Sequence, residues 1–332
     1  VPSSSTPKPI SLALQGGGAH GAFTWGVLDA ILEDGTLDPR AITATSAGAM
    51  NACALAMGRM QGGKDGAREA LEAFWQAVSR AGGPFRAATA TGWASWLDAL
   101  NRAFSPYDIN PFNIDPLRDI LAEQIDFEAV HACQDTQLFI TATDVETGRA
   151  KVFKGEAVTL DAVRASATLP FIHQAVEIDG VPYWDGGFTG NPALWPLFYA
   201  DTPRDLVIVH INPMHRAGTP KSAEDIMNRA NEITFNASLL AELRAIAFVK
   251  RLIGDGMVDP EKARLRDILV HSIKADTALE AYPASTKYDT RWSFLTELRD
   301  QGREAGFKWL ERCAKFIGER STIDLKAEFL DG

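Results

Sequence analysis

The sequence predicts an α/β protein in which helices cover both faces of a mostly parallel sheet, with a helical flank at the C-terminal end. Three stretches carry that prediction. Leu206 to Ile211 is a continuous, β-branched apolar run, the pattern of a strand buried on both sides. Ile10 to Leu32 and Ile42 to Asn51 each pass from an apolar β-like run, through glycines or small residues, into a helical segment.

In chain order, Val1 to Pro9 is rich in Ser and Pro and reads as a disordered arm. The chain opens on Val1 rather than Met, and this piece holds no apolar signal core. Ile10, Leu12 and Leu14 suit a first buried strand, and Phe23 to Leu32 a helix ending at Asp34-Gly35. After Ile42–Asn51, Lys64 to Val78 places Ala67, Leu71, Phe74, Trp75 and Val78 at helical spacing. Residues 82 to 116 form an insert, closed by prolines at 106, 111 and 116. Inside it Trp93, Trp96, Leu97, Leu100 and Phe104 make one helical stripe, either packed on the core or acting as a lid and acyl-chain wall. Pro116 opens the next helix, through Ile125. Leu138–Thr143 and Ala150–Phe153 read as strands joined across Glu146-Thr147-Gly148, and Leu160 to Ala167 as a short helix stopped at Pro170. Ala175–Ile178 and Val181–Trp184 flank Asp179-Gly180, a hairpin signal that delivers Asp185 to a strand end. Beyond Pro220, Ala223 to Ile253 reads as a long helix with Ile226, Ile233, Leu240 and Ala247 on its apolar face. Ile268–Ile273 adds a strand, and Thr290 to Ile317 a second long helix carrying Trp292, Leu295, Leu298, Ala305 and Trp309. This last third is expected to carry no chemistry.

With 332 residues, 46% of them apolar, and no internal linker, charge block or repeat, one domain over residues 10–332 is expected. Its catalytic part spans about 10–213, and its helical flank about 220–332. The net charge of −10 and the lack of a long basic run argue against nucleic acid and against a polybasic membrane anchor. At most peripheral membrane contact is expected, since no apolar run is long enough to span a bilayer. Cys53, Cys133 and Cys313 give neither a disulfide framework nor a CxxC pattern, which makes a reducing, cytoplasmic home the default. No His/Asp/Glu spacing resembles a metal site, and no cofactor is expected.

Three motifs point to chemistry. In ITATSAGAMN, Ser46 sits between strand and helix among small residues, the pattern of a nucleophile elbow. Its plain alternative is an N-cap serine. In ISLALQGGGAHG, consecutive glycines at a helix start expose backbone N–H groups that can hold a phosphate or an oxyanion. In YWDGGFTGN, Asp185 precedes two glycines, a sequence also common in ordinary turns.

GGGAHG, TSAG and DGG in this order resemble the patatin-like phospholipase family, over most of Ile10 to about Pro213. The resemblance implies a three-layer α/β/α fold and hydrolysis of lipid acyl esters, with an acyl ester or phospholipid as substrate. It implies Ser46 as nucleophile, Asp185 as its base, and an oxyanion loop of Gly16, Gly17, Gly18 and Gly21. Gly186 and Gly187 complete the Asp-Gly-Gly motif. Ala44 replaces a glycine of the elbow, whose Gly48 is kept, and His20 stands where the family more often has Arg. His20 is expected to orient the loop.

Three other readings are weighed. A Ser46–Asp185–His triad, with His210 or His215, matches the chain order of an α/β-hydrolase, but Ser46 comes too early in the chain for that fold. Nucleotide binding lacks the GxGxxG spacing and a GKS or GKT sequence. A catalytically impaired lipid-binding protein is motivated by Ala44.

Overall fold

A computed structural model describes residues 6–88, 105–170, 172–216, 218–259, 262, 265–279, 282 and 284–329. The Trp93, Trp96, Leu97, Leu100 and Phe104 stripe lies outside these residues.

Eight strands among the described residues form one sheet: β1 (Lys8–Leu14), β2 (Leu37–Ala44), β3 (Gln137–Asp144), β4 (Ala150–Lys154), β5 (Val176–Ile178), β6 (Val181–Asp185), β7 (Asp205–His210) and β8 (Leu269–Lys274). Their order is β5-β6-β3-β2-β1-β7-β8, with β4 on β3. Pairs among β3, β2, β1, β7 and β8 are parallel; β4, β5 and β6 enter antiparallel. The principal helices are α1 (Gly21–Asp34), α2 (Ala47–Ala88), α3 (Pro116–Gln124), α4 (Phe127–Ala132), α5 (Leu160–Ala165), α6 (Ala223–Gly254), α7 (Trp292–Cys313) and α8 (Leu325–Phe329). No helix among the described residues is long and apolar enough to cross a membrane.

The sheet separates two apolar cores, as period-2 side chains require. Ile10, Leu12, Leu14, Ile42, Ile140 and Val209 bury against α1, α2 and α7. Ala13, Ala41, Phe139, Leu206, Ile208 and Val270 face α6 and α8. The expected layering of helices on both sides is therefore present. α1 is almost wholly buried, because α7 closes over it. A Cβ at Gly302 would lie 2.1 Å from the Phe23 carbonyl oxygen, so the two backbones meet where only glycine fits.

The span α2 is two helices that meet at a kink at Gly62 and Gly63, where the φ of 64° at Gly63 leaves helical space; the helix after Ser46 and the one expected at Lys64 are therefore both present. One feature of the helices differs from the sequence reading. On α6, the stripe of Ile226 and Ile233 is turned outward, at 51% and 55% exposure. The inward face is Glu232, Asn236, Leu239, Leu243 and Ile246. The other two members of the expected stripe fare differently: Leu240 is half-buried and Ala247 packs against the second core. Periodicity therefore misplaced the first half of the stripe, where the buried face carries two polar residues that only a hydrogen-bonding partner makes tolerable.

The β3 register positions the site. β4 occupies one edge of β3 along Phe139–Thr143. On the other edge β2 pairs up to Ala44 opposite Ile140, and β6 takes over with Asp185 opposite Ala142. The ends of β2 and β6 therefore meet along one edge.

Candidate active site

Ser46 follows β2 and begins the turn into α2. Its φ of 53° is in the left-handed region, which a serine adopts only when its surroundings hold it there. Four contacts do so. Thr45 N donates to Leu14 O (3.3 Å) and Gly48 N to Thr45 O (2.9 Å). Thr45 Oγ1 donates to Gly190 O (2.7 Å). Ser46 N donates to Ser166 Oγ (2.8 Å), which in turn donates to Thr141 O (2.6 Å). Gly48 is compelled: a Cβ there would sit 2.4 Å from Leu14 O. Ala44 is fully buried as the last residue of β2.

Asp185 ends β6, as the hairpin signal predicts; Asp179 and Gly180 both take positive φ in its turn. Gly187 N donates to Asp185 Oδ1 (2.7 Å), and the Ser46 side chain lies close enough to the same carboxylate to favour its ionised form. Asp185 is 2% exposed and Ser46 8%. Burial pushes the Asp185 carboxyl up to about 7, against the opposing pull of the Gly187 N–H, the Ser46 hydroxyl and the Lys287 charge. Gly186 and Gly187 are packing requirements, since Cβ atoms there would lie 2.1 Å from Thr141 O and 2.2 Å from the Phe235 ring.

The glycine loop lies against the elbow. A Cβ at Gly16 would be 2.6 Å from Ser46 Cβ, and one at Gly21 2.6 Å from Ala47 Cβ. The four glycines do not contribute alike. Gly16 N donates to Asn191 Oδ1 (2.7 Å), and Gly21 N closes the turn onto Ala19 O and Gly18 O. Two of the loop's four amides are thus engaged inside the fold. Among the described hydrogen bonds none takes the amide of Gly17 or Gly18. Gly18 has φ 58°.

His20 bonds Thr286 Oγ1 through Nε2 (2.8 Å). Burial, helped by the Lys287 and Arg216 charges, lowers its pKa to about 3, so the ring is neutral. His210 is buried at the end of β7, stacked on Phe329 at 5.6 Å, and neither ring nitrogen has a partner among the described residues. His215 is exposed. Among the described hydrogen bonds none joins a histidine to Ser46 or Asp185. No group of three His, Cys, Asp or Glu among the described residues could hold a metal.

Sequence reasoning missed a buried amide network beneath the loop. Gln15 Oε1 accepts from Ile211 N (2.9 Å) and Asn212 N (3.1 Å), and Gln15 Nε2 donates to Asn236 Oδ1 (3.2 Å). Asn212 Nδ2 donates to Gly16 O (2.7 Å). Lys287 Nζ donates to Asn212 Oδ1 (2.8 Å), so the C-terminal flank, expected to be inert, reaches the site. Gln15, a polar residue between the end of β1 and the glycines, was the available signal.

The family model for patatin-like phospholipases matches residues 12–198, more than half of the chain, including all three motifs. The chain belongs to the patatin-like phospholipase family, whose members are typically lipid acyl hydrolases. No curated protein matches. Among solved structures, VipD from Legionella pneumophila is similar at 13% identity and a TM-score of 0.33, covering 98% of this chain and 73% of that one. A structure of full-length SpcU in complex with full-length ExoU, from the type III secretion system of Pseudomonas aeruginosa, is similar at 14% identity and a TM-score of 0.31. That match covers 91% of this chain and 53% of the other.

Proposed function

We propose that this chain is a serine acyl hydrolase of lipid esters, using Ser46 and Asp185 as a dyad. The observation that carries the reading is Ser46 at a left-handed elbow beside the buried Asp185 carboxylate, whose ionisation it favours. A serine hydroxyl becomes an effective nucleophile when a base takes its proton during attack. Ser46 Oγ bonds to the ester carbonyl carbon while Asp185 accepts the proton. The carbonyl oxygen becomes an oxyanion, held by the amides of Gly17 and Gly18. Collapse expels the alcohol, which takes the proton from Asp185 and leaves Ser46 acylated. A water then gives its proton to Asp185, attacks the acyl carbon, and releases the fatty acid with Ser46 restored.

The raised pKa suits this work: a base that titrates near neutrality is stronger than an ordinary carboxylate and still ionised at working pH. The network under Gly16 supports the same reading, because it holds the loop without using the Gly17 and Gly18 amides.

The test is labelling with a fluorophosphonate probe, peptide mapping of the adduct, and a panel of short esters and phospholipids. An adduct on Ser46 and ester turnover are expected, with Ser46→Ala losing the label and activity falling by about 10³ or more. Binding of phospholipid vesicles with neither label nor turnover would point instead to a lipid-binding protein.

A further inference from the structure

We propose that Lys287 is a positioning residue of the Ser46–Asp185 centre, so that the C-terminal flank completes the site. The inference rests on the dyad reading above. The 3-10 turn Ala284–Tyr288 meets the glycine loop at three points. His20 Nε2 bonds Thr286 Oγ1 at 2.8 Å. A Cβ at Gly18 would lie 2.4 Å from the Lys287 carbonyl oxygen, so the backbone of residue 287 forms a wall of the loop. Lys287 Nζ holds Asn212 Oδ1 at 2.8 Å, and Asn212 Nδ2 holds Gly16 O at 2.7 Å. Orientation of the Gly17 and Gly18 amides thus depends on a chain of contacts that begins at the Lys287 ammonium.

The charge adds a second effect. The charged groups that act on Lys287 are, in order of strength, Glu232 on α6, Arg216 between β7 and α6, and Asp185 at the end of β6, while His20 on the loop feels its charge. Glu232 is already engaged by Arg216 (3.0 Å) and Arg229 (3.1 Å). Among the described ion pairs Lys287 forms none, and its own described hydrogen bond goes to a neutral amide. An ammonium without a direct counter-ion, set in a poorly solvated place, acts over distance on the remaining carboxylate, Asp185. It favours the ionised base and opposes the burial that disfavours it.

The sign follows directly. Removing the cation lets the Asp185 pKa rise, so activity is lost at a higher pH as the medium is acidified. The experiment measures kcat and KM against pH for a short-chain p-nitrophenyl ester, with wild type, Lys287→Met, Lys287→Gln, Lys287→Arg and Asp185→Asn. Lys287→Gln can still donate to Asn212, and replaces Lys287→Met if the latter fails to fold. Both uncharged variants are expected to move the acid limb of kcat/KM up by about one pH unit, with kcat down about fivefold at pH 7 and KM little changed. Lys287→Arg is expected to return the limb toward wild type. A limb that stays in place in the folded uncharged variants overturns the role of Lys287, while an inactive Asp185→Asn leaves the dyad standing. An active Asp185→Asn overturns both.

Discussion

A carboxylate with an ordinary pKa is a feeble base at neutral pH, and Asp185 is not ordinary. Its burial raises it to about 7 while two donors, the Gly187 N–H and the Ser46 hydroxyl, keep the ionised form within reach. The dyad reading therefore predicts an acid limb of kcat/KM near pH 7, since the base must be unprotonated to act. Asp185→Asn is expected to lower kcat/KM by about 10³ or more, nearly as much as loss of Ser46. His210→Ala and His215→Ala are expected to keep most of the activity, as neither ring reaches the pair. Loss of turnover in either histidine variant with a normal circular dichroism spectrum would revive the triad. The elbow offers a steric counterpart. Gly48→Ala drives a methyl into Leu14 O, so activity and stability should both fall. Ala44→Gly should keep activity, because a small residue suffices where β2 ends. Parallel ester assays and melting curves on the two variants check this pair.

At the scale of elements, α6 shows how a helix can hide its function from its hydropathy. Leu239 and Leu243 are fully buried, whereas Ile226 and Ile233 are about half exposed. Leu243→Ala should cost about 2–5 kcal/mol by leaving a cavity in the second core. Ile233→Gln should change stability by no more than roughly 0.5 kcal/mol, as surface substitutions do. Urea unfolding of both variants decides it; equal losses would mean that the outward stripe is buried after all. The polar members of the inward face have local reasons. Asn236 accepts from Gln15 Nε2, and Glu232 binds Arg216 and Arg229. Glu242, further along the helix, accepts from Leu194 N (2.9 Å) and Trp195 N (2.6 Å), and so anchors the loop that carries Asn191.

For the whole molecule, buried titratable groups pull stability in opposite directions with pH. Asp185 and Glu242 are raised by burial to about 7, so between about pH 4 and 7 the folded chain binds more protons than the unfolded one. Their contribution to stability falls as pH rises through that window. His20 and His210 are lowered by burial to about 3, so between about pH 3 and 6.5 the unfolded chain binds more protons. Their contribution rises with pH and is lost on acidification below 6.5. The double variant Asp185→Asn with Glu242→Gln is therefore expected to melt roughly 5 °C higher than wild type at pH 8, with the gap closing by pH 4. A gap that does not change with pH would show that ionisation of these two carboxyls carries no cost in the fold.

The sequence by itself determined the local conformations: the β-branched run of β7, the helix stop at Gly35, the Asp179-Gly180 hairpin and the glycine-bearing turns around Ser46. Each depends on residues adjacent in the chain, so steric preference and period were enough to read it. The resemblance of GGGAHG, TSAG and DGG also named the family before any fold was known. Only the tertiary structure decided what those motifs face. The meeting of β2 and β6 on one edge of β3, the loss of the Gly16 and Gly21 amides to internal partners, and the choice of buried face on α6 follow from contacts between distant segments. So does the approach of Lys287 to the glycine loop, which brings its ammonium to Asn212 through the packing of the C-terminal flank. Burial, which converts an Asp-Gly-Gly turn into a carboxylate titrating near neutrality, is a property of the packed fold and not of any stretch of sequence.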